Sequence, residues 1–174
     1  MATVPQFHRT DSNGMIATIK IIAYSVPQSS LSRAANVAAN AIRIATPKYQ
    51  SATLIETQVG EEMLSFKGCD AMRGRLDRFG VELLERRVVP HNEAAITTAL
   101  SESEGEFVLL LTASATSDPM DVAPLALRQA GGEVTGFGMP VDPGNLLFFG
   151  QLDAKPVIGL PGCARSPALN GADW

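Results

Sequence analysis

This chain has no excess of basic residues, and its charge balance has the wrong sign for nucleic acid. Acidic residues outnumber basic ones by 18 to 14, a net charge of −4 over 174 residues. A protein that neutralises a phosphate backbone needs a basic face instead. The balance still leaves room for a local basic pocket that takes one small anion. Long apolar runs are missing too. None approaches the roughly 20 residues that span a bilayer. The stretch from Met1 to Thr10 lacks the basic-then-apolar order of a secretory signal. The expected location is therefore the cytoplasm, with neither membrane nor nucleic acid as partner. The only two cysteines, Cys69 and Cys163, form no CxxC or CxxH cluster, so no metal site is predicted and free thiols are expected. GxGxxG, P-loop, HExxH and GxSxG motifs are all absent.

What remains is an ordinary globular composition, 45% hydrophobic and 18% charged, long enough for one domain with a real core. Ile16 to Tyr24 is β-branched and apolar and reads as a strand. Gln28-Ser29-Ser30 can cap a helix from about Leu31 to Ile44. Beyond Pro47 strands and helices alternate. Strands are predicted at Ala52–Thr57, Val81–Val89 and Glu106–Leu111, and helices at Met63–Phe79, Glu93–Leu100 and Asp121–Ala130. Leu146–Leu152 and Lys155–Leu160 read as a hairpin turning at Asp153-Ala154. The unbroken apolar run Phe107–Leu111 suits a strand covered by helices on both faces.

This alternation predicts right-handed crossovers and a three-layer α/β/α fold on a mostly parallel sheet. Residues 1–51 read as a strand–helix segment, a connector from something upstream. Residues 52–174 read as the main domain. The chain stops at Gly171-Ala172-Asp173-Trp174 with no closing helix, so it is expected to be one module of a longer protein.

In a parallel sheet, ligands bind at the carboxyl ends of the strands. Three loops qualify. Thr112-Ala113-Ser114-Ala115-Thr116-Ser117-Asp118-Pro119-Met120-Asp121 is rich in small residues and hydroxyls and precedes a helix N-terminus, which suits phosphate. The same residues serve equally well as turn formers, with Asp118 or Asp121 as a helix cap. Pro161-Gly162-Cys163-Ala164-Arg165-Ser166 offers a tight turn and a guanidinium that can grip a phosphate or carboxylate, or simply a turn with a solvated arginine. His91 can act as a base or a phosphate donor, or sit as a loop histidine in water. The basic residues Arg73, Arg75, Arg78, Arg86 and Arg87 read as a solvated face.

Several landmarks occur in a telling order. They are Asp121-Val122-Ala123-Pro124, Ala130-Gly131-Gly132-Glu133-Val134, Phe137 to Asn145 (FGMPVDPGN) and Lys155 to Gly162 (KPVIGLPG). Over roughly Ala52 to Pro167 the chain resembles the molybdopterin-binding domain shared by molybdopterin adenylyltransferases and molybdenum insertases. The resemblance implies molybdopterin as ligand, with Mg²⁺ as an option for an active member. It implies Asp121 as the family's functional aspartate, in a catalytic role. The loop chemistry and the matched landmarks together give the expected ligand contacts as Thr112, Ala113, Ser114, Thr116, His91, Asn145, Pro161, Gly162, Arg165 and Ser166. As partners the resemblance implies a nucleotidyltransferase of cofactor assembly and a second copy of the chain, since family members are often dimers or trimers.

The departures matter as well. The family's Thr-Gly-Gly loop is here Thr112-Ala113-Ser114, so both glycines are replaced. His91 stands where the enzymes carry an acidic residue. Asn145 replaces the lysine of the Pro-Gly-Lys-Pro loop, and Leu160-Pro161-Gly162 continues into Cys163 rather than Asn or Gln. Three functions follow from the resemblance: a module that binds molybdopterin or the finished cofactor, an enzyme that adenylylates molybdopterin or inserts molybdate, and a scaffold with a dead site. The altered loop favours the module.

Overall fold

In the computed structural model of the chain, residues 2–6, 8–20 and 22–174 are described. The chain divides into two compact units, Met1–Thr46 and Pro47–Trp174.

In the first unit, β1 (Ala2–Thr3) pairs antiparallel with β2 (Ala17–Thr18), and α1 spans Gln28–Ala38. The strand expected over Ile16–Tyr24 is thus only two residues long, and its Ile21 lies outside the described residues. Apolar β-branched residues form a strand only where a partner ladder and a covered face exist. Here β1 supplies two residues of ladder, and Ile19, Ile22 and Tyr24 are exposed. The helix expected over Leu31–Ile44 starts directly after Pro27 and ends early. Asn40, at φ 60°, leaves the right-handed helical region there.

The second unit carries β3 (Ser51–Gln58), α2 (Lys67–Asp77), β4 (Glu82–Pro90), α3 (Glu93–Ser101), β5 (Phe107–Leu111), α4 (Val122–Gln129), β6 (Glu133–Phe137), β7 (Phe148–Leu152) and β8 (Lys155–Leu160). Two short 3-10 turns follow, Gly162–Arg165 and Gly171–Asp173. The six strands form one sheet in the order β4-β3-β5-β8-β7-β6. β4, β3, β5 and β8 run parallel, and β7 and β6 add antiparallel to β8. The α/β reading therefore holds. The strand β6 was not anticipated: Glu133–Phe137 holds one glycine and alternates weakly, and its pairing with β7 makes it a strand.

Both faces of the sheet are covered. Leu109 and Leu111 of β5 join Ala52 and Leu54 of β3 under α2, while Val108 and Leu110 join Ile55 under α3 and α4. The buried positions of α2 fall at 68–69, 71–72 and 75–76, the stripe expected of a helix with one covered side. Gly80, at φ 66°, turns the chain out of α2 into β4. Asn92 caps α3 by accepting from the Ala95 amide at 2.9 Å. Among the described residues no helix is long and apolar enough to cross a membrane.

Candidate functional site

The parallel strands end in a common row of loops. Gln58 ends β3, Pro90 ends β4, Leu111 ends β5 and Leu160 ends β8. β7 runs antiparallel to β8, which brings the loop before it, with Asn145, to the same edge.

Three of these loops are tied together by one threonine. Thr57, fully buried near the end of β3, accepts from the Ala113 amide at 2.7 Å, and its Oγ1 lies 2.9 Å from His91 Nδ1. A buried hydroxyl needs an acceptor for its own hydrogen. His91 Nδ1 is the acceptor at hand, and Nε2 of the same ring lies 3.0 Å from Ser114 Oγ. Within the loop, Thr112 Oγ1 donates to the Ser114 carbonyl at 2.6 Å, and Thr116 Oγ1 lies 3.4 Å from it. The loop after β5 is thus fastened on itself and to its neighbours.

Beside it lies a cleft of about 490 Å³, whose lining includes Gln58, Val59, Glu62, Met63, Ala113 and Arg165. Arg165 Nη2 donates to the Thr112 carbonyl at 2.7 Å, and its remaining N–H groups have no partner among the described residues. Burial pushes this guanidinium below its ordinary pKa, against the pull of the Glu56 charge. A partly desolvated cation with free donors beside a cleft is suited to an anion.

Not every expected residue converges on the cleft. Asp121 caps α4, accepting from Val122 N at 2.8 Å and from Ser117 N at 3.3 Å. The Asn145 carbonyl accepts from the Met139 and Leu147 amides, and its side chain is exposed. The Pro161 carbonyl accepts from Ala164 N, Gly162 is exposed, and Ser166 Oγ accepts from Ala168 N.

The solvated basic face is corrected at three positions, one of them Arg87, which is half-buried and paired with Glu85 and Glu102. Arg75 is buried. It meets both carboxylate oxygens of Asp173 at 3.0 Å and donates to the carbonyls of Ala164, Ser166 and Ala168. Arg86 forms a 2.5 Å pair with Glu56, whose side chain is 1% exposed. A carboxylate inside a strand must find a cation or strong donors. The lone glutamate in the apolar run Ala52–Thr57 was the sequence signal for that pair. The expected start of α2 at Met63 shifts to Lys67 for a related reason: Arg86 takes the carbonyls of Leu64 and Ser65, so the chain there stays irregular. Cys69 is buried and Cys163 half-buried, both free; burial pushes the Cys69 thiol up, away from reactivity.

Mg²⁺ wants several hard oxygen ligands. Glu56 is held by Arg86, Asp121 caps a helix, and His91 contributes no oxygen. Among the described residues no three His, Cys, Asp or Glu side chains come together. The side chains present do not fit a carboxylate-held magnesium ion.

A mostly parallel sheet with its cleft at the carboxyl edge, a hydroxyl-rich loop after a central strand and an arginine with free donors place this chain in the class of α/β domains with a candidate site at the strand ends. A family model described as "Probable molybdopterin binding domain" matches residues 67–169, and the chain belongs to that family. Among solved structures, the molybdopterin biosynthesis moea protein from Pyrococcus horikosii is similar. It has a TM-score of 0.52 and 20% identity over 66% of this chain and 30% of that one. At that identity the likeness concerns the fold, and this chain spans under a third of that protein's length. No curated protein matches the sequence.

Proposed function

We propose that this chain binds molybdopterin or the finished molybdenum cofactor and holds it for the next step of cofactor assembly in the cytoplasm, without adenylylating it. The observation that carries this reading is the fastened loop after β5. The Ala113 amide donates to Thr57 and so is not free for phosphate, and His91 sits on Ser114. Adenylyl transfer needs charge neutralisation around phosphates, supplied by metal and cations together. Among the described residues one free cation, Arg165, borders the cleft. That is enough to anchor an anionic ligand and too little to stabilise a transferring phosphoryl group. The partner that fits is a nucleotidyltransferase of cofactor assembly, receiving the bound pterin. Homo-oligomerisation belongs to the same proposal.

The test titrates molybdopterin into the full chain and then adds Mg-ATP. Saturable binding without adenylylated product is expected, and product would overturn the module in favour of the enzyme. Absence of pterin binding would leave the scaffold. Arg165→Ala should weaken binding about tenfold to a hundredfold, the loss of a charge-assisted anchor. Asp121→Asn keeps the α4 cap and should bind as the parent does; a marked loss there would return Asp121 to the site.

A further inference from the structure

The Glu56–Arg86 pair does not itself line the cleft, although the Glu56 charge acts on Arg165, and it holds residues that do. Glu56 stands on the face of β3 that α2 covers, in the same row as Ala52 and Leu54. Arg86, on the neighbouring strand β4, reaches it with Nε at 2.5 Å. The other end of the guanidinium points away from the pair. Its Nη2 donates to the carbonyl of Ser65 at 3.0 Å and more weakly to that of Leu64 at 3.3 Å. Its plane lies over the Phe66 ring, 4.3 Å from the centroid, a cation–π contact.

All three partners belong to the segment between β3 and α2, and that segment forms the outer wall of the cleft. Val59, Glu62, Met63, Leu64 and Ser65 line it. Val59 and Met63 are 77% and 92% exposed, so the wall has almost no packing of its own to hold it. A loop without buried apolar contacts is ordered by its polar anchors or not at all. Arg86 is that anchor, and Glu56 holds Arg86.

We infer that the buried Glu56–Arg86 pair is a positioning device: it pins the wall of residues 59–66 and so sets which ligands the cleft accepts. The wall offers Val59, Met63 and Leu64 to a flat ring and the Glu62 carboxylate to a ring N–H donor, and Arg165, which also lines the cleft, offers a cation to an anionic group. The ligand class is therefore a planar heterocycle carrying a phosphate-like group. That last step rests on the proposed pterin-binding function, whereas the pinning does not.

The test uses backbone ¹⁵N relaxation on the full chain, together with molybdopterin affinity. Arg86→Gln alone leaves Glu56 a buried unpaired carboxylate and is prone to unfold. The informative variants are Glu56→Gln combined with Arg86→Gln, which removes both charges, and Phe66→Ala, which keeps the pair. In the double variant the order parameters of Leu64 and Ser65 should fall from the rigid range near about 0.85 to below about 0.6, with β3 and β5 unchanged. Molybdopterin affinity should fall about tenfold, the loss of one charged hydrogen-bonded anchor. Phe66→Ala should give a smaller change in the same direction. Unchanged order parameters would overturn the pinning, whatever the pterin does. A loosened wall with undiminished affinity would overturn its role in ligand choice. If the parent binds no molybdopterin, the functional proposal fails while the relaxation data still decide the pinning.

Discussion

Arg75 and Asp173 meet side-on, with Nε 3.0 Å from Oδ1 and Nη2 3.0 Å from Oδ2, although 98 residues separate them. The pair fastens the C-terminal segment to α2. Arg75 also holds the carbonyls of Ala164 and Ser166, on either side of Arg165. Burial alone would raise the Asp173 carboxyl pKa. The bond to Arg75, the Asn170 amide and the nearby arginine charges outweigh it and hold the group below its ordinary value.

That shift has a direction in pH. A carboxylate with a depressed folded pKa stabilises fully above its ordinary pKa of 3.8, and the contribution disappears as pH falls through the lower folded value. The parent should therefore lose stability on acidification below about pH 5, in keeping with a carboxylate that must protonate. Asp173→Asn should be less stable at pH 7 and show a shallower loss in the acid range. Denaturant midpoints measured from pH 3 to 7 check this, and parallel curves for the two proteins would refute it. Arg75→Ala should cost about 3–5 kcal/mol, because it strands a mostly buried carboxylate and three carbonyls.

Thr57→Val is nearly isosteric and removes one hydroxyl. It leaves the Ala113 amide and His91 Nδ1 without their partner. The expected cost is about 1–3 kcal/mol, with Thr57→Ser close to the parent. Urea midpoints for the pair of variants decide it: equal stability of Val and Ser would mean that the hydroxyl does not tie the loops.

Gly68→Ala should destabilise, against the usual helix preference for alanine of about 1 kcal/mol. A Cβ at Gly68 would stand 2.5 Å from Glu56 Oε1, 2.9 Å from Leu111 Cδ2 and 3.4 Å from Arg165 Cγ. Glu56 cannot easily yield, since its other oxygen is held by Arg86. Overpacking of this kind costs about 1–3 kcal/mol. Thermal unfolding should show a lowered midpoint, and anion affinity should fall as Arg165 is displaced. A raised midpoint would mean that the carboxylate moves freely.

Much of the layout was legible because its signals are local. Asn92 and Asp121 cap α3 and α4 through amides within a few residues, and Phe107–Leu111 declares a doubly covered strand by its own composition. The landmark loops point to the family through their own residues and order. Local reasoning failed where context decides. Ile16–Tyr24 had the composition of a strand and found only two residues of ladder, while Glu133–Phe137 lacked that composition and became β6 through β7.

The sequence by itself determined the alternation of elements, their caps and the family, because periodicity, capping and turn chemistry act over a few residues. Only the tertiary structure decided which charges are buried and which loops are tied. Glu56 to Arg86, Thr57 to Ala113 and Arg75 to Asp173 are contacts across 30, 56 and 98 residues. No local pattern records a partner at such a distance. The sheet brings these groups together, and the low dielectric between its layers then makes an unpaired charge or amide too costly to leave.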